Sequence, residues 1–388
     1  MTTKAKKDDN KQLGVKKLKV NTSTLKNLLS KVMKGISDNK ILFITGAINI
    51  EFDGKKLTLS ATDTITYLSV FQEDGANLIS GDEMRVAVPA HVFNQLIQKT
   101  NSLNVELVLE DACLKVIGNG VYKIELPTES GGSLLEFPRP NTLNDVKPAQ
   151  LRKTTITKED IASILKSNKT AIKTSLMAIF MHGYYFGDKV VTSDCNMVAQ
   201  SNVKVTEEPF LAPPELLNIL EAFNDNTVEV TRHGSNIMMS GSNMLVCSIE
   251  LEDIASYPII AIDKMLSSDY PSKCTISKEL ALSILDRMKL FVGQYDGNAV
   301  QLVFDSNGVS FLNKRSTGNE RIEFDAKAGA NPFICNVDLQ LLVDVLKAQP
   351  CRSLEIQYGA KRTLKIVGDD TAHLITLVAD ELDKVPEV

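Results

Sequence analysis

The chain has 388 residues, 43% of them apolar and 23% charged, which is enough apolar side chain for two or three packed cores and excludes a wholly disordered protein. Its 43 basic and 48 acidic side chains give −5, but the first nineteen residues hold seven Lys and two Asp, so residues 20–388 carry 36 basic and 46 acidic groups, a net of −10. So acidic a body excludes a protein that coats nucleic acid through global charge, though not one with a local basic surface. No run approaches the ~18 apolar residues that cross a bilayer, and the Lys-rich start lacks the apolar stretch of a signal peptide, so a cytoplasmic protein with no membrane partner is expected.

Residues 1–17 read as a flexible basic tail. Val20 then opens VNTSTLKNLLSKVMKGI, and the same pattern returns as ITKEDIASILKSNKTAI from Ile156 and ISKELALSILDRMKLFV from Ile276, 136 and 120 residues further on. In each, a β-branched residue precedes a candidate N-cap (Asn21, Thr157 or Ser277), and apolar residues at 3–4 spacing follow. That pattern predicts a short strand running into a capped amphipathic helix.

Turn signals at Asp53–Gly54, Gly187–Asp188 and Asn307–Gly308 fall 33, 31 and 31 residues after the three starts and predict a hairpin in each repeat. A second strand and helix follow in VAVPAHVFNQLIQ, FLAPPELLNILEAF and FICNVDLQLLVDVLK, and alternating strands close each unit. The first two repeats end on Phe137–Pro138 and Tyr257–Pro258, 120 residues apart. A period this long exceeds the ~20–50 residues of a solenoid unit, so each repeat is expected to be a domain: 18–146, 147–268 and 269–388, with linkers near 140–153 and 262–275.

The order and spacing of LFITGAINIEFDGKKLTLSATD, KVVTSDCNMVAQS and CNVDLQLLVDVL, with the FP and YP endings, resemble one family over about residues 16–379: the bacterial DNA polymerase III beta subunit, or β sliding clamp. The resemblance implies an α+β chain of three tandem domains of the DNA-clamp type. Each would be a doubled strand–helix–sheet unit, with helices facing inward and antiparallel sheets outward in a ring. It also implies a homodimer that encircles double-stranded DNA without reading sequence. Such a ring tethers a replicative polymerase, and is opened by a clamp loader, through short Leu/Phe-containing peptide motifs. The chain departs from the family pattern at its first fifteen residues and at DELDKVPEV. It departs also where a T-D-G-H-R-L run is common and Ser193–Val198 stands here, and where Leu377–Val378–Ala379 replaces an M-P-M-like strand, which marks a divergent member.

Two surfaces follow from the resemblance. The inward helices would present Lys26, Lys31 and Lys34, then Lys158, Lys166, Lys169 and Lys173, then Lys278, Arg287 and Lys289. With the acidic residues among them counted, these windows carry +3, +2 and +1 inside the acidic body, the bias a backbone-tracking surface needs. No aromatic residue interleaves them, so base stacking is not expected. The peptide pocket carried over from the family comprises Leu176, the run Ser193, Asp194, Cys195, Asn196, Met197 and Val198, then Pro258, Ile262 and Asp263, and in the third repeat Thr363, Ile375, Leu377, Val378 and Ala379.

Enzymatic chemistry has little footing. The six Cys are scattered without a CxxC pair, and His91, His182, His233 and His373 form no ligand spacing, so neither a metal nor a cofactor is expected. Asp63 and Asp194 occupy equivalent repeat positions, which points to strand-end turns rather than acid–base catalysis. No Walker loop, GxGxxG, HExxH or GxSxG occurs, and no catalytic residue is assigned. The other reading is a clamp-like peptide-binding scaffold or decoy that encircles no DNA.

Overall fold

Strand-to-helix junctions recur where the side chains can cap them. In a computed structural model, which describes residues 15–37, 42–81, 83–129, 132–172, 183–251, 254–292, 298–313, 318–324, 332–360 and 362–378, Asn21 Oδ1 accepts from the Ser23 and Thr24 amides at 3.0 and 3.3 Å. Thr157 and Asp160 cap each other reciprocally at 3.1 Å, and Ser277 and Asp338 accept from the Leu280 and Leu341 amides at 3.4 and 2.8 Å. Each bond satisfies an amide at a helix start that has no partner within the helix.

The first repeat comprises β1 (Lys16–Asn21), α1 (Thr22–Val32), β2 (Ala47–Phe52), β3 (Leu57–Thr62), β4 (Tyr67–Gln72), β5 (Ala76–Ser80), β6 (Met84–Pro89), α2 (Ala90–Lys99), β7 (Asn104–Glu110), β8 (Cys113–Ile117) and β9 (Val121–Glu125). The second has β10 (Arg152–Thr157), α3 (Lys158–Asn168), β11 (Tyr184–Phe186), β12 (Val190–Ser193), β13 (Met197–Ser201), β14 (Phe210–Ala212), α4 (Pro214–Leu220), β15 (Thr227–His233), β16 (Asn236–Ser240), β17 (Met244–Ile249) and α5 (Ile259–Leu266). The third has β18 (Ser272–Ser277), α6 (Lys278–Met288), β19 (Ala299–Phe304), β20 (Gly308–Leu312), β21 (Asn319–Glu323), β22 (Phe333–Asp338), α7 (Leu339–Ala348), β23 (Ser353–Tyr358), β24 (Thr363–Val367) and β25 (Thr371–Thr376). The fold is α+β, its sheets antiparallel throughout the described ladders.

By contacts the chain falls into two compact units that divide the second repeat. One holds the residues through Lys153 with Asn218–Ile249, the other Thr154–Leu217 with the residues from Glu250 on. In the first, the two halves of the repeat exchange their leading strands. β1 joins β7–β8–β9, with Val20 opposite Val105, and β6 joins β2–β3–β4, with Ile48 opposite Val88. The second sheet continues across β4 into β17, β16 and β15. Leu25, Leu28, Leu29 and Val32 of α1 are fully buried, as the 3–4 spacing requires, and α1 packs on α2, β3 and β4.

The second unit repeats the exchange. β18 pairs with β23 and β22 with β19, and β25 carries the sheet on into β13, β12, β11 and β14. Its core takes Ile284 and Leu285 from α6, Leu342, Val345 and Leu346 from α7, and Val300, Leu302, Phe311, Ile356 and Ile375 from the sheets. Two features were not foreseen. α4 is only seven residues long, its start set by Pro213–Pro214, and the stretch from 262, expected to be linker, begins within helix α5. The run Ile259–Ile260–Ala261–Ile262 before Asp263 is apolar on successive positions, so helical periodicity was hard to separate from a loop there.

Candidate binding sites

A turn, a helix and a strand pair come together in the second unit. Between β12 and β13 the chain reverses through Asp194–Cys195–Asn196, and Asp194 Oδ1 accepts from the amides of Asn196 and Met197 at 3.0 and 2.8 Å. The Ser193 hydroxyl donates to the Met197 carbonyl at 3.0 Å and accepts from the Cys195 amide at 3.3 Å. Asp194 therefore holds a turn, and Asp63 does the same in the first unit, accepting from Ile65 and Thr66 at 2.9 and 2.6 Å. Cys195 has φ +71°, a conformation open to glycine at no cost, which fits the glycine common at this place in the family pattern.

β13 pairs with β25, Val198 opposite Leu374 and Met197 opposite Ile375, and the Asn196 carbonyl accepts from both the amide and the hydroxyl of Thr376 at 2.9 Å. Across this corner lies α5. Tyr257 anchors its start by stacking on Tyr185 at 5.6 Å and donating to the Val191 carbonyl at 3.3 Å. Burial pushes the Tyr257 phenol well above its ordinary pKa, so it stays a neutral donor.

Between these elements is a cavity of about 240 Å³ lined by Ser193, Cys195, Asn196, Met197, Val198, Pro258, Ala261, Ile262, Met265, Thr363, Leu374 and Thr376. Behind it Tyr185, Val191, Val198, Leu211, Tyr257, Ile262, Leu266 and Leu374 form a packed cluster, so the apolar wall is rigid. The rim is polar. The Tyr270 hydroxyl is 2.8 Å from Thr363 Oγ1, and Asp263 on α5 is paired with Lys189. Such a walled apolar recess with a few fixed polar groups suits one or two aliphatic or aromatic side chains of a linear segment.

Of the expected pocket residues, Ser193, Cys195, Asn196, Met197, Val198, Pro258, Ile262 and Thr363 line this cavity, with Asp194 in the turn beneath it. Asp263 sits at the rim in its ion pair. Ile375 and Leu377 lie elsewhere: Ile375 is fully buried in the core beneath α6 and α7, and Leu377 packs on that same core. The last strand runs one residue out of phase with the expected alternation, and a one-residue slip exchanges the faces of a strand. Leu374 and Thr376 hold the cavity side instead. Val378 is exposed, its amide donating to the Asn336 carbonyl at 2.8 Å. Leu176 and Ala379 lie outside the described residues. Ala261 and Met265 were missed with their helix; the four-residue spacing of Ala261 and Met265 was the available signal.

The cationic side chains divide more sharply. Lys158, Lys166, Lys169 and Lys289 are exposed and Lys26 half-buried. Lys34 pairs with Glu221 at 2.7 Å, Lys278 donates to the Gln349 carbonyl at 3.0 Å, and Arg287 makes a two-pronged contact with Glu320. Lys31 differs from expectation, for it is buried and donates to Asn243 Oδ1 at 3.3 Å, which takes its charge off the solvated face. Lys173 lies outside the described residues. Lys166 and Lys169 of the α3 end meet Lys347 of α7 around an open cleft of about 440 Å³, with Asp344 as its one acidic lining residue. Lys347 was not singled out from sequence because it lies on the second helix of its repeat.

The six cysteines are free thiols, and burial pushes Cys274 and Cys335 up to about 12 and Cys247 to about 11, so these three are unreactive at neutral pH. Among the described residues no helix is long and apolar enough to cross a membrane.

Sheets that exchange strands between the halves of each repeat, with paired helices against them, define the fold of the DNA-clamp class. Residues 16–134 match the family model of the DNA polymerase III beta subunit, N-terminal domain. Solved structures extend the likeness in fold to most of the chain. The beta subunit of Thermotoga maritima is 17% identical, with a TM-score of 0.77 over 94% of this chain and 100% of that one. That of Borrelia burgdorferi, in complex with a natural product, is 14% identical, with a TM-score of 0.79 over 94% and 98%. The sliding clamp of Bartonella birtlesii bound to griselimycin is 15% identical, with a TM-score of 0.77 over 94% and 100%. No curated protein sequence matches the chain. The sequence of the first repeat thus matches the N-terminal domain of the DNA polymerase III beta subunit family, and the rest of the chain shares the fold of solved beta subunits at low identity.

Proposed function

We propose that this protein is a replication sliding clamp. Two chains close head to tail around duplex DNA, and the cavity beside α5 takes short Leu/Phe-containing motifs of a replicative polymerase and a clamp loader. The observation that carries this reading is that cavity, an apolar recess with a rigid back and a polar rim on a clamp fold. The lysines of α3 and α7 support the DNA half of the reading. They offer charge without aromatic stacking, so they can neutralise phosphates without favouring any sequence. The ring works by topology, and the tether by raising the local concentration of a polymerase that would otherwise diffuse away. The protein itself catalyses nothing in this role and acts in the cytoplasm.

Light scattering tests the closed pair, which has a mass of about 85 kDa, twice the 42.6 kDa of one chain. With a clamp loader and ATP, the protein is expected to remain on circular plasmid through gel filtration and to run off the same plasmid once linearised. Equal loss from both, or a single-chain mass, overturns the ring and leaves a peptide-binding scaffold.

Met265→Glu tests the tether. Met265 is 42% exposed on the solvent side of α5, so the fold should tolerate the change, while a carboxylate enters the apolar mouth. Affinity for a Leu/Phe-containing peptide, read by fluorescence anisotropy, is expected to fall by about 1–3 kcal/mol. Unchanged affinity would place the peptide elsewhere.

A further inference from the structure

The scaffold of the α5 cavity is built a second time, within the first unit. The turn between β3 and β4 copies that between β12 and β13 bond for bond. Thr62 Oγ1 donates to the Thr66 carbonyl at 2.9 Å and accepts from the Thr64 amide at 3.0 Å, as Ser193 does with Met197 and Cys195. Thr64 has φ +85° where Cys195 has φ +71°.

Strand register carries the correspondence outward. Tyr67 stands opposite Cys247 as Val198 stands opposite Leu374, which sets Ile249, two residues on, in the place of Thr376. Across the next ladder Asn236 faces Ile249 and Thr363 faces Thr376. Pro138 follows Phe137 as Pro258 follows Tyr257. These positions enclose a cavity of about 330 Å³, against about 240 Å³ beside α5.

Its outer wall is different in kind. No α-helix contributes to the described lining; a 3-10 turn (Phe43–Gly46) brings in Ile44, and the extended segment Pro138–Arg139–Pro140–Asn141 forms the outer side. Arg139 Nη1 lies 2.8 and 3.0 Å from the two oxygens of Glu51, and Arg85 Nε lies 3.6 Å from the same carboxylate. Two guanidinium groups thus share the Glu51 carboxylate, with Glu83 also acting on Arg139, and the Arg139 side chain stays 64% exposed at the edge. Asn141 Nδ2 donates to Asn236 Oδ1 at 3.0 Å, which fixes an amide pair beside it. At the mouth Ile65 and Ile249 are 48% and 46% exposed.

We propose that this cavity is a second peptide site on each chain, selective for a linear segment that sets a carboxylate beside its apolar anchor. The apolar side chain enters between Tyr67, Pro138 and Ile249, and the carboxylate meets Arg139. The proposal rests on the reading of the α5 cavity as a peptide site, because the shared scaffold is what assigns the ligand class. It adds a charge preference that the α5 cavity, with Ala261, Ile262 and Met265 in its wall and no arginine among its described lining residues, does not share.

The test is calorimetry of the full-length protein with an Asp-Leu-Phe hexapeptide and its Asn-Leu-Phe counterpart. Two sites per chain are expected. Met265→Glu should leave one, and Ile249→Asp should also leave one. In the Met265→Glu background the remaining site should favour the Asp peptide by about five-fold, the upper range for an exposed charge pair, and Arg139→Gln should erase that preference. Ile65→Asp, on the opposite lip, repeats the Ile249 test should that strand end prove sensitive. One site, lost in Met265→Glu and untouched by Ile249→Asp and Ile65→Asp, overturns the second site and leaves the α5 reading standing. One site lost only in the isoleucine variants removes the α5 reading instead, and no heat with either peptide removes both.

Discussion

Asn168→Ala is expected to lower stability by about 3 kcal/mol, because one fully buried amide ties helix α3 to the hairpin behind the α5 cavity. Asn168 Nδ2 donates to the carbonyls of Val190 and Ala199 at 3.1 and 3.0 Å, and its Oδ1 accepts from the Ser201 hydroxyl at 2.6 Å. Its own carbonyl accepts from Thr192 Oγ1 at 2.8 Å. Alanine removes the whole side-chain network from a site closed to water, so the Ser201 hydroxyl loses its acceptor and two strand carbonyls lose a donor. Asn168→Asp should be worse, since a buried carboxylate would face two carbonyl oxygens. Urea titration followed by far-UV circular dichroism measures both. Because α3 and the 3-10 turn that follows it carry Lys166 and Lys169 while β12 and β13 carry the Ser193–Met197 turn, loosening this joint should weaken retention on circular DNA and peptide affinity together. A loss below about 0.5 kcal/mol for Asn168→Ala would mean that apolar packing alone seats the helix.

The repeat was legible because it is written in local chemistry. Asn21, Thr157 and Ser277 cap helices where the sequence placed their starts, and the Asp53–Gly54, Gly187–Asp188 and Asn307–Gly308 signals fall in the turns between β2 and β3, β11 and β12, and β19 and β20. Capping and turn formation depend on a few neighbouring residues, so a short window carries them. The exchange of strands between halves was not legible, since the pairing of β1 with β7 spans some ninety residues and leaves no local mark. The same limit applies to the sites. The Ser193–Met197 turn is local and was found, whereas the phase of β25 depends on which core it faces. Thr371–Leu377 alternates too weakly to tell, with His373 and Thr371 both buried among polar partners. Lys31 failed for a like reason: its ammonium donates to Asn243 and acts on the Asp225 carboxylate, both some two hundred residues away in sequence.

That same strand places a histidine where protonation should undo folding. Burial holds the His373 imidazole down to about 4, against an ordinary 6.5, with the Ser167 carbonyl pulling weakly the other way. Among the described residues, the groups in hydrogen-bond reach of the ring are all uncharged. Gln349 Nε2 lies 2.7 Å from Nδ1, the Ser167 carbonyl 3.2 Å from Nε2, and Thr170 Oγ1 3.5 Å from Nε2. The Thr371 hydroxyl donates to Gln349 Oε1 at 2.7 Å and so turns the amide NH₂ toward the ring. Nδ1 is thereby an acceptor and Nε2 the donor, and a second proton on Nδ1 would point at another N–H. Since the folded pKa is depressed, the unfolded chain binds the proton first. The stabilisation is complete above about pH 6.5 and drains as pH falls toward 4, with about 2 kcal/mol lost between pH 7 and pH 5. The carboxylates of Asp305, Glu320 and Glu355 are held below their ordinary values by Arg321, Arg287 and Gln357, so their contribution is lost only further down, through the carboxylate range. Urea midpoints from pH 7 to pH 5 should therefore fall in the native sequence. In His373→Gln, which cannot titrate, they should stay nearly level, even if that variant starts from a lower stability. Parallel slopes for the two proteins would mean that the ring is already charged in the fold, or reaches water before the rest of the chain lets go.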